Sequence, residues 1–310
     1  MQRFRNLLLI HESGVRGRKA RSRAIDLAVR NQARIKLLEV AEPLPQDGSF
    51  QTVDEEIDLQ DIVAREMETK LDRVAGTMAG AGLQVKTGVS FGNPYLSILR
   101  EVQQGEHDLV LVTAEGDGGL KEHLFGSLSR HLLRKCPVPV WVVRPARSRR
   151  KFRVLAAVNP AEEHPTARSL DRTVLEMASS LARMYHGHLD VVHAWQPVPR
   201  SGRVGRKVVT GWNNDLFLAA EMRLVGLLDD FELDDLSPHR HLPGGPAGLS
   251  ISEVAEECRS DIIVMGTLNR SGLRGMIMGN TCETVLQHIN ASVLAVKPEG
   301  FESPVTLDSS

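Results

Sequence analysis

Through the first half of the chain, short unbroken apolar runs alternate with longer stretches in which apolar positions recur every three or four residues. Asn6-Leu-Leu-Leu-Ile10 and Arg34 to Val40 are of the first kind, the pattern of strands buried on both faces of a parallel sheet. A helix reads between them over Gly17 to Gln32. From Val53 to Met78 apolar residues fall at 53, 57, 64, 67, 71, 74 and 78, which predicts one face of a long amphipathic helix. A third strand, Leu83 to Val89, leads to Gly92-Asn93-Pro94, whose proline is placed to open the next helix.

The same order then starts again. Arg153 to Val158 reads as a strand, Thr166 to Tyr185 as a helix and His188 to Trp195 as a strand. Leu216, Ala220, Leu224, Leu227 and Phe231 give Asn213 to Phe231 a helical stripe. A weaker strand at His239 to Leu242 meets Gly244-Gly245-Pro246. The clearest repeat comes last. Asp108-Leu-Val-Leu-Val-Thr-Ala-Glu-Gly116 is followed by nine residues, Gly126-Ser127 and the apolar run ending at Val143. Asp261-Ile-Ile-Val-Met-Gly-Thr-Leu-Asn269 is followed by nine residues, Gly279-Asn280 and the run ending at Lys297. Equal spacing in both halves implies one domain written twice.

Strand-helix order carried to a fifth strand predicts an α/β chain of two tandem, doubly wound, five-stranded parallel-sheet domains. Their expected limits are 1–145 and 152–298, with a basic linker at 146–151 and a tail at 299–310. Pro197 to Gly211 has no clean period and reads as a long loop, either a lid over a pocket or a surface segment.

Charge narrows the partners. Lys and Arg number 38 against 39 Asp and Glu, so no net field favours nucleic acid or an anionic membrane. No apolar run approaches the roughly 20 residues of a membrane span, and the apolar positions before His11 are too few for a signal peptide, so a cytoplasmic protein is expected. Cys136, Cys258 and Cys282 lack close spacing and are expected to be free, packed thiols, with neither a disulfide framework nor a zinc site.

In a doubly wound sheet a ligand sits beyond the carboxyl ends of the strands, where strand order reverses. The fourth strand of each half delivers the chain there and meets a glycine segment before a helix. Glycine lets backbone amides approach an anion, and the helix start adds unpaired N–H groups. Those amides belong to Gly126 and Ser127 in the first half and to Gly279, Asn280 and Thr281 in the second. The bland alternative makes Ser127 and Asn280 helix N-caps and nothing more. No P-loop lysine, serine-hydrolase elbow or zinc-protease helix is present, so the residues assemble no complete catalytic constellation.

The pattern Gly-x2-Gly-x9-Gly-Ser/Thr between fourth strand and fourth helix resembles the nucleotide-binding motif of the universal stress protein superfamily, here in a tandem of two domains. That resemblance implies an adenine nucleotide alpha hydrolase-like fold, a stress-response role, and a small-molecule ligand for which ATP or another adenine nucleotide is the first candidate. Magnesium would enter only with the nucleotide. It also implies an internal pseudo-dimer, with Val140 to Val143 beside Leu294 to Val296, and a homodimer as a further level of assembly. Both motifs depart from the pattern. Thr113 stands in place of the first glycine, while Gly116, Gly126 and Ser127 keep the remainder. In the second half Gly266 and Gly279 are kept, Asn269 replaces the second glycine and Asn280 the hydroxyl residue. Glu12 and Asn159 take the place of the family's adenine-contacting aspartate. By the same correspondence Val40 and Ala194 would line the adenine slots, and Met265 and Leu268 would flank the second pocket. The second half is therefore expected to bind ligand without catalysing a reaction. Slow ATP hydrolysis, an apolar or lipid-like ligand, and a ligand-free scaffold remain alternatives.

Overall fold

A computed structural model describes residues 4–42, 49–51, 56–114, 126–144, 151–162, 164–199, 206–267, 279–303 and 305. The chain forms two compact units. The first contains β1 (Asn6–Ile10), α1 (Gly14–Asn31), β2 (Arg34–Ala41), β3 (Ser49–Gln51), β4 (Glu56–Asp58), α2 (Leu59–Ala79), β5 (Val85–Phe91), α3 (Pro94–Gln104), β6 (Leu109–Thr113), α4 (Ser127–Lys135) and β7 (Val140–Val143). The second contains β8 (Arg153–Ala157), α5 (Pro165–Met184), β9 (His188–Val192), α6 (Arg206–Leu228), β10 (His239–His241), α7 (Ala247–Glu257), β11 (Ile262–Gly266), α8 (Asn280–His288) and β12 (Ser292–Val296).

Both units solve the same topological problem in the same way. The order in the first is β5-β2-β1-β6-β7 and in the second β10-β9-β8-β11-β12, with every neighbouring pair in these two orders parallel. Chain direction across the sheet reverses after the third strand of each unit. A crevice therefore opens between β1 and β6, and another between β8 and β11. Every residue of β1, β6, β7 and β12 is buried, as expected for strands covered by helices on both faces.

One device recurs at the opposite end of the sheets. The Asp108 carboxylate accepts from the Arg5 amide at 2.6 Å and the Asn6 amide at 3.1 Å, fastening the start of β1. The Asp261 carboxylate accepts from the Arg153 amide at 2.9 Å at the start of β8. An aspartate before each fourth strand thus satisfies amides that have no ladder partner. Asn93 caps α3 by accepting from the Tyr95 amide, with Pro94 in the first turn.

Three expectations need correction. The amphipathic stripe from Val53 does not mark one helix: α2 begins at Leu59, and Glu56–Asp58 pairs antiparallel with Ser49–Gln51. Helix α6 begins at Arg206, so the second part of the long segment 197–211 is helical. Leu216, assigned to the buried stripe of that helix, is 40% exposed, whereas Ala220 and Leu224 are buried. The linker at 146–150 and residues 200–205 lie outside the described residues. No helix among the described residues is long and apolar enough to cross a membrane.

Candidate functional site

The crevice of the second unit holds a cavity of about 320 Å³. Strand ends build its floor: Ala157, Val158 and Asn159 leave β8, His193 and Ala194 leave β9, and Met265, Gly266 and Thr267 end β11. Ala247 and Ile251 of α7 close one side, and the first residues of α8 complete it. Of the residues expected from sequence, Asn159, Ala194, Met265, Gly266, Gly279, Asn280 and Thr281 come together here. Leu268 and Asn269 lie outside the described residues, as does Gly116 in the first half.

Helix α8 gives the cavity its polarity. Its N-cap is Gly279, with extended backbone at φ −66° and ψ 140° and no side-chain cap. Asn280 is the first helical residue, so the capping role offered for it is not the one it has. A helix start without a side-chain cap presents N–H groups and the positive end of the helix dipole. The Gly279 amide itself is used, donating to the Thr267 carbonyl at 3.1 Å and drawing the helix start against the end of β11. Thr267 is fully buried, and its hydroxyl is in contact with the buried Lys297 ammonium. Positive charge thus stands behind the cavity wall next to the helix start.

Asn159 is held by a buried acid: its backbone N–H donates to the Asp171 carboxylate of α5 at 3.1 and 3.2 Å. Cys282 lines the same cavity, but burial pushes its thiol up to about 12, against the opposing pull of Lys297, so it is a protonated apolar group and not a nucleophile. Gly266 has a packing reason of its own. A Cβ there would stand 2.5 Å from Leu170 Cδ2 and 3.1 Å from Cγ, so its lack of a side chain lets α5 lie close against β11.

The first unit uses the equivalent positions differently. Thr113, in the register position of Gly266, donates its hydroxyl to the Glu12 carboxylate across the switch point. Burial raises the Glu12 carboxyl above its ordinary value, only partly offset by the Arg16 charge. Gly126 is the N-cap of α4, again without a side-chain cap, and Ser127 is the first helical residue. The Ser129 hydroxyl bonds the Thr113 carbonyl at 3.2 Å. Val40 is the penultimate residue of β2, paired with Ser90 of β5. The Glu12 carboxylate at the mouth of this crevice opposes a phosphate, whereas the corresponding Asn159 adds no charge in the second unit, whose cavity is also lined by Glu162.

Sequence reading had not singled out Glu162, His193, Ala247, Ile251, Thr267 and Cys282 as cavity residues. Thr267 was recoverable from the repeat, since it directly follows Gly266, the first glycine of the motif. The α7 residues were not, because no local signal says which turn of that helix meets the crevice.

Comparison with known proteins gives the same division of the chain. The universal stress protein family matches residues 3–144 and 165–297. Universal stress protein E of Salmonella typhi is 28% identical over 313 residues, covering 99% of each chain. That of Escherichia coli strain K12 is 27% identical, covering 99% of this chain and 98% of that protein. In fold, the chain is similar to a functionally unknown protein from Pseudomonas aeruginosa PAO1, with a TM-score of 0.74 at 23% identity, covering 96% of this chain and 94% of that one. It is also similar to a universal stress protein from Archaeoglobus fulgidus, with a TM-score of 0.65 at 20% identity, covering 94% and 98%. Two matched segments spanning most of the chain, each with the same strand order, place it in one family: the chain belongs to the universal stress protein family.

Proposed function

We propose that this chain is a cytoplasmic stress-response protein whose second unit binds a small anionic ligand, an adenine nucleotide first. The observation that carries this reading is the meeting, in one cavity, of the α8 helix start, without a side-chain cap among the described residues, and Asn159. The first suits phosphate; the second offers both a donor and an acceptor to the edge of a base. Ala157, Val158, Ala194 and Met265 supply apolar surface between them, the mix of walls and few polar groups common to small-ligand sites. At about 320 Å³ the cavity is at the small end of ligand sites, enough for a base and ribose with phosphates at the rim. The apolar walls also favour a second reading, an apolar or lipid-like ligand anchored by an anionic head at α8.

Calorimetric titration of the full chain with ATP tests the first reading. One site per chain is expected, weakened by Asn159→Ala. Absence of heat together with no rise in melting temperature on adding ATP would remove it. Catalysis is not part of the proposal; phosphate release that vanishes in Gly279→Asp while the fold persists would make the site an active one.

A further inference from the structure

On the same sheet, away from the cavity, three side chains that are far apart in sequence converge. Asp190 lies in the middle of β9, His241 ends β10, and Cys258 is the C-cap of α7. His241 pairs with Val192 in the ladder, and Asp190 is two residues before Val192, so both side chains stand on one face. Cys258 reaches them from the end of α7. The His241 Nε2 is 2.9 Å from Asp190 Oδ1, and the Cys258 sulfur is 3.6 Å from that oxygen and 3.5 Å from Nε2. Among the described residues this is the one group of three or more His, Cys, Asp or Glu side chains whose ligand atoms fall within 4.8 Å of one another.

We propose that Asp190, His241 and Cys258 form a binding site for a divalent transition metal of zinc type. The spacing is that of three corners of a coordination tetrahedron. With metal–sulfur near 2.3 Å and metal–nitrogen and metal–oxygen near 2.0–2.1 Å, tetrahedral angles separate sulfur from the other two atoms by about 3.5–3.6 Å and nitrogen from oxygen by about 3.3 Å. Both sulfur separations already match, and only the histidine–carboxylate pair has to open, by about 0.4 Å.

A second observation points the same way. Asp190 is 1% exposed, yet its Oδ2 has no hydrogen-bond partner among the described residues, an arrangement that is costly unless something else satisfies it. A mixed nitrogen, oxygen and thiolate set suits zinc or cobalt over magnesium or calcium. Binding replaces the thiol proton of Cys258 by the metal and releases that proton to solvent. The fourth position is left to water or to His239, which is exposed and has Nδ1 3.9 Å from Asp190 Oδ1. The ligand cavity touches Ala247 and Ile251 of α7, about 16 and 10 Å along the helix from Cys258, so this site is distinct from it.

The test is titration of the full chain, stripped with chelator and kept reduced, with Co²⁺ alone. One equivalent is expected to bind and to give a thiolate-to-cobalt charge-transfer band that Zn²⁺ bleaches. Cys258→Ser should abolish the band, while Cys136→Ser and Cys282→Ser should keep it. His241→Gln, a change at a half-buried position on an edge strand, with circular dichroism used to check that the fold is kept, should weaken binding at least about tenfold. A spectrum without a thiolate band, a band that survives Cys258→Ser, or an unchanged affinity in His241→Gln would each overturn the assignment.

Discussion

Gly266 lies so close to Leu170 that a Cβ on it would come within 2.5 Å of Leu170 Cδ2, and Leu170 would have to shift to admit one. The glycine that opens the repeated glycine motif of the second unit is therefore also a place where α5 packs closely against β11. Thr113 in the same register position of the first unit shows that the strand end itself accepts a side chain when the opposite helix permits one.

Gly266→Ala should destabilise the second unit by about 1–3 kcal/mol, because Leu170 has to leave its rotamer or the helix has to move. Urea unfolding of the full chain would show this as an earlier transition. Gly266→Ala combined with Leu170→Ala should recover part of the loss, and a double variant that is simply additive would show that the two residues are not coupled.

Asp108→Asn should cost more than Asp261→Asn. The first carboxylate accepts from two backbone amides and the second from one, and hydrogen bonds to charged groups are worth about 1.5–3 kcal/mol each. Thermal unfolding of the two variants checks the order.

Glu101 should lend the first unit acid sensitivity. Burial works against its charge, but hydrogen bonds from His107 and Lys36, at 2.9 and 2.8 Å, outweigh it and hold the carboxyl below its ordinary value of 4.5. The unfolded chain then binds that proton more readily than the native one. The stabilisation is complete above 4.5 and drains away as pH falls through the lower folded value. Glu101→Gln should lower stability at neutral pH by about 1–3 kcal/mol and converge with the parent in acid.

Glu12 should show the opposite slope. Burial raises its carboxyl above 4.5, against the weaker influence of Arg16, so the native state holds the proton more tightly than the unfolded chain. Its contribution to stability falls as pH rises from 4.5 through the higher folded value. Glu12→Gln, which still accepts from Thr113, should flatten that part of the stability profile; an unchanged profile would contradict the assignment.

Much of this was written in the sequence, for identifiable reasons. Continuous apolar runs located β1, β6, β8, β11 and β12 because strands buried on both faces have no polar alternation to blur them. Internal duplication gave the spacing of glycines and with it Gly266, Gly279, Asn280 and Thr281 of the cavity, whereas Asn159, Ala194 and Met265 came from the resemblance to the family. The start of α2 was misread because Val53 and Ile57 continue the helical stripe in number while Glu56–Asp58 takes part in a hairpin, a competition that periodicity cannot see. Leu216 was misread because a stripe says which residues share a face and not how far along α6 that face stays covered. Asp190, His241 and Cys258 carried no signal at all. They are separated by 51 and 17 residues, and only the β9–β10 register and the end of α7 bring them together.

The central claim, that the second unit holds the ligand and the first does not, is tested most directly by the pair Gly279→Asp and Gly126→Asp under nucleotide thermal shift. Each aspartate caps its helix, which alone should stabilise the protein by up to about 1 kcal/mol, but places a carboxylate where a phosphate would lie. The account predicts that ATP raises the melting temperature of the parent and of Gly126→Asp and has no effect on Gly279→Asp. A shift that persists in Gly279→Asp, or disappears in Gly126→Asp, would contradict it.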